Sequence, residues 1–114
     1  MELEGKVGIV TGAARGLGKA ISLTLAREGC TIIVSDIDID GASEVVKEIR
    51  RIGRDGMSVK ADVSKKSDVE AMVEKAVSKY GRIDILVNNA GICSLTPIIE
   101  ITEEEWDKVL SINL

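Results

Sequence analysis

The sequence predicts an α/β protein built on a doubly wound parallel sheet. Three observations carry that reading. Four short apolar runs rich in Val and Ile alternate with segments of helical periodicity. Glycines 29, 53 and 81 close the first three helical segments. The connections are short, with no linker, repeat or low-complexity tract, so the 114 residues read as one domain, 1–114.

Val7-Gly8-Ile9-Val10 is the first strand. A glycine loop, Thr11-Gly12-Ala13-Ala14-Arg15-Gly16-Leu17-Gly18, leads into a helix over 17–28 whose predicted inner face is Leu17, Ala20, Ile21, Thr24 and Leu25. Thr31 to Ser35 is the second strand. Ala42, Val45, Val46, Ile49 and Ile52 then recur at helical spacing, with Asp38 and Asp40 placed to cap that helix and oppose its dipole. Met57 to Ala61 alternates as a half-exposed strand does, and Ser64 is the expected N-cap of a third helix bearing Val69, Met72, Val73, Ala76, Val77 and Tyr80. Ile83 to Val87 is the fourth strand, apolar on both faces, and Thr102-Glu103-Glu104-Glu105 is a capping box opening a last helical element. The pattern βαβαβαβα implies strand order 3-2-1-4, with the switch point between the first and fourth strands.

Composition narrows the chemistry. The 45% hydrophobic residues are aliphatic rather than aromatic, and the net charge of −4 with pI near 4.9 supplies no basic surface for nucleic acid. No apolar run approaches the length of a membrane span, and residues 1–6 do not resemble a signal peptide, so a cytoplasmic protein without nucleic-acid or membrane partners is expected. The cysteines, Cys30 and Cys93, form no disulfide framework and no metal pair. With no histidine in the chain, Ser-His-Asp and Cys-His catalysis and His-based metal sites are excluded, and no metal site is expected.

A glycine loop between a strand and a helix turns backbone N–H groups and the positive end of the helix dipole towards an anion. Here Gly12 suits the sharp turn, Gly16 a close approach of phosphate, and Gly18 tight packing of helix on strand. A convenient βα turn would use the same glycines. Asp36 favours the dinucleotide, because an acid at the end of the second strand accepts hydrogen bonds from the adenosine ribose and repels a 2′-phosphate. NAD is therefore expected over NADP, with Arg15 in the loop as the residue that would pair with a 2′-phosphate. The run Asp36-Ile37-Asp38-Ile39-Asp40 also invites a Mg-dependent phosphoryl-transfer reading, but helix capping is a sufficient role for Asp38 and Asp40.

With Thr11, Gly12, Gly16 and Gly18, then Asp36, Asp62-Val63 and Asn88-Asn89-Ala90-Gly91 in order, the sequence resembles the short-chain dehydrogenase/reductase family along its whole length. The resemblance implies a Rossmann-type fold and hydride transfer between a nicotinamide and a carbonyl or alcohol substrate. It adds Leu17 to the cofactor-binding loop, gives Asp62 and Val63 the adenine, and lines the cofactor cleft with Asn88, Asn89, Ala90 and Gly91. The two amides read as scaffold first and cofactor contact second. Trp106, Val109, Leu110 and Asn113 share one helical face, and the resemblance makes Asn113 the Asn of an Asn-Ser-Tyr-Lys tetrad. A water-bridged structural Asn is the alternative there.

The family's Tyr-x-x-x-Lys pair has no counterpart in the 114 residues: the sole tyrosine, Tyr80, precedes Asp84 by four positions and reads as a packing residue. The last helix lacks a stop signal and the fourth strand has the apolarity of an interior strand. The expectation is thus the N-terminal, cofactor-binding part of a longer enzyme, inactive alone, with relatives that form homo-oligomers. A stand-alone, non-catalytic nucleotide-binding or interaction module is the second reading.

Overall fold

The computed structural model describes residues 3–89. Within them the chain runs β1 (Val7–Thr11), α1 (Gly16–Arg27), β2 (Thr31–Asp36), α2 (Ile39–Arg51), β3 (Gly56–Lys60), α3 (Lys66–Tyr80) and β4 (Ile85–Val87). All pairings are parallel and the sheet order is β3-β2-β1-β4, as the alternation of strands and helices predicts. The fold is Rossmann-like.

Alternate side chains along each inner strand enter different cores, which explains why these strands read as continuous apolar runs. Val7 and Ile9 of β1 and Ile33 of β2 pack with Val69, Met72 and Ala76 of α3. Val10, Ile32 and Val34 pack on the opposite face with Ala26 of α1 and Ala42, Val45, Val46 and Ile49 of α2. In β4, Leu86 meets the first core while Ile85 and Val87 meet the second. Both faces of that short strand are therefore used, as its sequence predicts.

Helix α1 differs from expectation. Its buried positions are Gly18, Ser22 and Ala26, whereas Leu17 is 68% exposed and Ala20 and Thr24 face outward. Small residues every fourth position bring the helix axis close to the sheet, with Ile21 and Leu25 flanking the contact. The inner face is thus set by how closely backbones approach, not by where the largest apolar side chains lie.

Several boundaries shift by a residue or two, and two of the shifts have a plain physical cause. Ser64 does not cap α3: its N–H and hydroxyl both bond Asp62 Oδ1, and Lys65 is the N-cap, with no side-chain cap bond. A carboxylate two residues upstream competes successfully for that hydroxyl. The fourth strand begins at Ile85 rather than Ile83, although Ile83 is buried in the core. Asp84 replaces a ladder register with a clasp, donating its N–H to Val7 O at 2.8 Å and accepting Val7 N–H on Oδ2 at 2.9 Å. Arg82 completes the clasp through Nε and Nη2, at 2.8 and 2.7 Å. Burial pushes the Asp84 carboxyl up, but Arg82 and the Val7 N–H outweigh it and hold the group below the usual carboxylate range.

Candidate functional site

Because the four strands are parallel, the glycine loop, Asp36, the β3–α3 connection and Asn88-Asn89 leave the sheet at one end. The loop is shaped by its glycines. Gly12 and Gly16 have φ of +61° and +58°, left-handed values that L side chains avoid. Gly18 has a different duty: a Cβ there would lie 2.2 Å from Gly12 O and 2.7 Å from Asn89 Nδ2. Helix α1 can start against the strand only because this position has no side chain.

Thr11 ties the loop to β4. Its buried hydroxyl donates to Asn88 Oδ1 at 3.2 Å and accepts the Asn89 N–H at 3.1 Å, while Asn89 Nδ2 donates to Gly12 O at 3.3 Å. These bonds span the crevice between β1 and β4, where the strand order reverses. Asn88 and Asn89 thus have the scaffolding role that adjacent amides at a strand end predict. Thr11 was assigned no role from the sequence, because its partners lie 77 and 78 residues away along the chain.

The N-terminus of α1 is open. Its N-cap, Arg15, makes no side-chain cap bond, and the first turn carries no acid. The N–H groups of Gly16, Leu17 and Gly18 have no intrahelical acceptor and point out of the helix end, where the dipole favours an anion. A Cβ on Gly16 would meet no atom within 4 Å, so the backbone here presents its donors without steric cover.

Asp36 faces this loop. Its Oδ2 accepts the Ala14 N–H and its Oδ1 accepts the Asp38 N–H, each at 3.0 Å. Two backbone bonds fix the carboxylate in the turn, yet each oxygen retains a lone pair for a further donor. Asp38 caps α2 by accepting the Gly41 N–H at 3.0 Å, and Asp40 lies in that helix's first turn, as expected. Arg15 Nη2 lies 3.6 Å from Asp38 Oδ2. Gly41 is a second residue whose importance was missed, since a Cβ there would lie 2.9 Å from Ala14 Cβ. Its signal was a glycine within the first turn of a helix, a costly choice without a packing reason.

At the β3–α3 connection, the Ala61 N–H donates to Asp36 O at 3.2 Å, which sets Asp62 beside the end of β2. Bonds from the Ser64 hydroxyl and N–H hold the Asp62 carboxyl below its ordinary value. Val63 is buried in the core beside α3. Among the described residues no three His, Cys, Asp or Glu side chains form a metal-binding group, and Asp36 and Asp38 are engaged by backbone donors. Ala90, Gly91, Asn113 and the capping box at 102–105 lie outside the described residues, as does Cys93.

Two potentially reactive groups are muted by their surroundings. Burial, then the Asp84 charge, push the Cys30 thiol up to about 11. Burial, then the charge and hydrogen bond of Asp55, push the Tyr80 phenol up to about 12, with its hydroxyl 3.3 Å from Asp55 Oδ2. A proton-transferring tyrosine needs the opposite shift. No helix among the described residues is long and apolar enough to cross a membrane.

The family model described as short chain dehydrogenase matches residues 6–114. The chain is 44% identical over 119 residues to a 3-oxoacyl-acyl-carrier-protein reductase of Thermotoga maritima, covering all of this chain and 46% of that protein. It is 45% identical over 109 residues to a diacetyl reductase, (S)-acetoin forming, of Staphylococcus epidermidis, covering 96% and 42% of the two chains. A 2-dehydro-3-deoxy-D-gluconate 5-dehydrogenase of Escherichia coli is 40% identical over 112 residues, covering 98% and 44%. A hydroxysteroid dehydrogenase from Escherichia coli, solved as a crystal structure, superposes with a TM-score of 0.77 at 44% identity over 78% of this chain and 38% of that one. The chain spans less than half the length of these relatives. Its glycine turn, strand order and sequence converge on one assignment: the chain belongs to the short-chain dehydrogenase family.

Proposed function

We propose that this chain is the cofactor-binding part of an NAD(H)-dependent oxidoreductase that interconverts a carbonyl and an alcohol. The observation that carries the proposal is the pairing of an uncapped α1 N-terminus with the Asp36 carboxylate anchored to Ala14 of the same loop. The residues fit a dinucleotide. Gly12, Arg15, Gly16, Leu17 and Gly18 would border the pyrophosphate, Asp36 the adenosine ribose, Asp62 and Val63 the adenine, and Asn89, Ala90 and Gly91 the inner cleft. The bound nicotinamide supplies or accepts the hydride.

The chain's own part is to bind and orient. The α1 N–H groups offer hydrogen bonds and dipole to negative charge, and the fixed Asp36 accepts hydroxyl protons but repels a 2′-phosphate. Asn113 would position groups for proton transfer. The transfer itself needs a Tyr-x-x-x-Lys pair that the 114 residues do not contain, and Tyr80, hydrogen-bonded to Asp55, is no substitute. The chain alone is therefore expected to be inactive. Reductase and dehydrogenase names among the relatives support a small-molecule carbonyl or alcohol substrate for the intact protein, which we take to be a cytoplasmic homo-oligomer.

The test is a calorimetric titration of the intact protein with NAD(H) and NADP(H), before and after Asp36→Ala. NAD(H) should bind more tightly to the unmodified protein, and the substitution should shrink the difference. Equal or tighter binding of NADP(H) by the unmodified protein would refute the assignment to NAD.

A further inference from the structure

Asp36 would repel a 2′-phosphate by charge, but one residue of the glycine loop that it faces has the opposite tendency. Arg15 is the only cation between Gly12 and Gly18, its side chain is 81% exposed, and it lies one residue from Ala14, whose N–H binds Asp36. A free guanidinium there would pair with a phosphate and oppose the discrimination that Asp36 makes. Its partner in the structure is Asp38, with Nη2 to Oδ2 at 3.6 Å.

Asp38 is well suited to hold it, because its carboxylate is already fixed by another task. Oδ1 accepts the Gly41 N–H at the start of α2, and Oδ2 lies over Gly41, where a Cβ would come within 2.5 Å of it. The Asp38 N–H is in turn bound to Asp36 Oδ1 at 3.0 Å. One turn therefore sets Asp36 towards the loop and Asp38 towards Arg15. An exposed ion pair stabilises weakly, but a fixed partner loses little side-chain freedom on pairing.

We infer that Asp38 is a specificity-positioning residue that draws Arg15 away from a 2′-phosphate, so that cofactor choice rests on the Arg15–Asp38 pair as well as on Asp36. This rests on the dinucleotide reading proposed above. Selectivity would then combine direct repulsion with the withdrawal of a compensating cation.

The test is a double-mutant cycle in the intact protein: unmodified, Asp38→Asn, Arg15→Gln and the double variant, each titrated with NAD+ and NADP+ by calorimetry. Asn caps a helix about as well as Asp, so Asp38→Asn removes the charge while retaining the Gly41 bond, which a thermal melt checks. The expected result is an NADP+ affinity raised about three- to fivefold by Asp38→Asn, with NAD+ affinity nearly unchanged and no such gain when Arg15 is Gln. The gain should fade as salt screens the charges. An equal gain with and without Arg15 would show direct repulsion by Asp38 and overturn the inference, as would no gain at all. Those outcomes leave the dinucleotide reading intact if the unmodified protein still prefers NAD+. Failure of the unmodified protein to bind either cofactor would overturn both.

Discussion

The β1–α1 and β2–α2 turns leave neighbouring parallel strands at the same end of the sheet, and each begins a helix whose first N–H groups lack intrahelical acceptors. In the second turn the chain supplies the acceptors itself: Asp38 caps Gly41, Asp40 opposes the dipole, and Asp36 accepts the Asp38 N–H. In the first turn Arg15 caps nothing and no acid follows. Two carboxylates reach this loop, and neither takes the helix end: Asp36 binds the Ala14 N–H and Asp38 pairs with the Arg15 guanidinium. One helix start is closed by its own sequence and the other is left for an anion from elsewhere. The same local architecture thus serves stability in one place and, in the function proposed above, binding in the other.

Substitutions at the loop glycines should break this contrast most severely. Gly18→Ala sets a methyl group 2.2 Å from Gly12 O, forcing backbone apart at the crevice. A loss of about 3 kcal/mol in chemical denaturation is expected, together with dinucleotide binding. Gly16→Ala should separate the two properties. It meets no neighbouring atom and pays only for its positive φ, about 1 kcal/mol, yet should weaken NAD(H) at least about tenfold by covering the helix end. Equal damage to stability and binding at both positions would mean that Gly16 is structural.

A carboxylate at the opposite end of the sheet provides a control. Asp84 is bound by Arg82 and the Val7 N–H, and its folded value lies below the ordinary one. Its contribution is therefore present above the unfolded carboxylate value of about 4 and is lost as the pH falls through the lower folded value. Asp84→Asn should cost about 1–3 kcal/mol at neutral pH and flatten the acid limb of the stability profile, with cofactor selectivity unchanged. A shifted NAD/NADP ratio would show that the two ends of the sheet are coupled.

Smaller effects should follow from exchanging the two helix starts. Asp38→Ala removes the α2 cap and should cost about 1 kcal/mol. Arg15→Ser gives α1 the cap it lacks and should raise the thermal midpoint by the equivalent of about 0.5–1 kcal/mol. The second change should at the same time weaken NAD(H), because the serine hydroxyl would compete for the N–H groups that the proposed function assigns to phosphate. A stabilised Arg15→Ser variant with undiminished affinity would contradict the role assigned to the open helix end.

Much of this was legible in the sequence, because strand order and element type follow from alternation and periodicity, which are local. The capping aspartates were legible for the same reason. The inner face of α1 was legible only in part: Ile21 and Leu25 do pack against the core, but hydropathy also marks the exposed Leu17, while close packing is set by Gly18, Ser22 and Ala26, small residues that carry little hydropathy signal. Ser64 misled because a good capping residue was claimed by Asp62. The Thr11 junction and the Ala14–Asp36 bond join distant segments, so their geometry required the fold.

The contrast between the turns is tested most directly by an amide nuclear magnetic resonance titration of the 15N-labelled protein with NAD+. The N–H signals of Gly16, Leu17 and Gly18 should move together and saturably, while that of Gly41, held by Asp38, should move little. Perturbations centred on Gly41 and the start of α2, or none at residues 16–18 during saturable binding, would contradict the proposal that the open α1 terminus is the anion site.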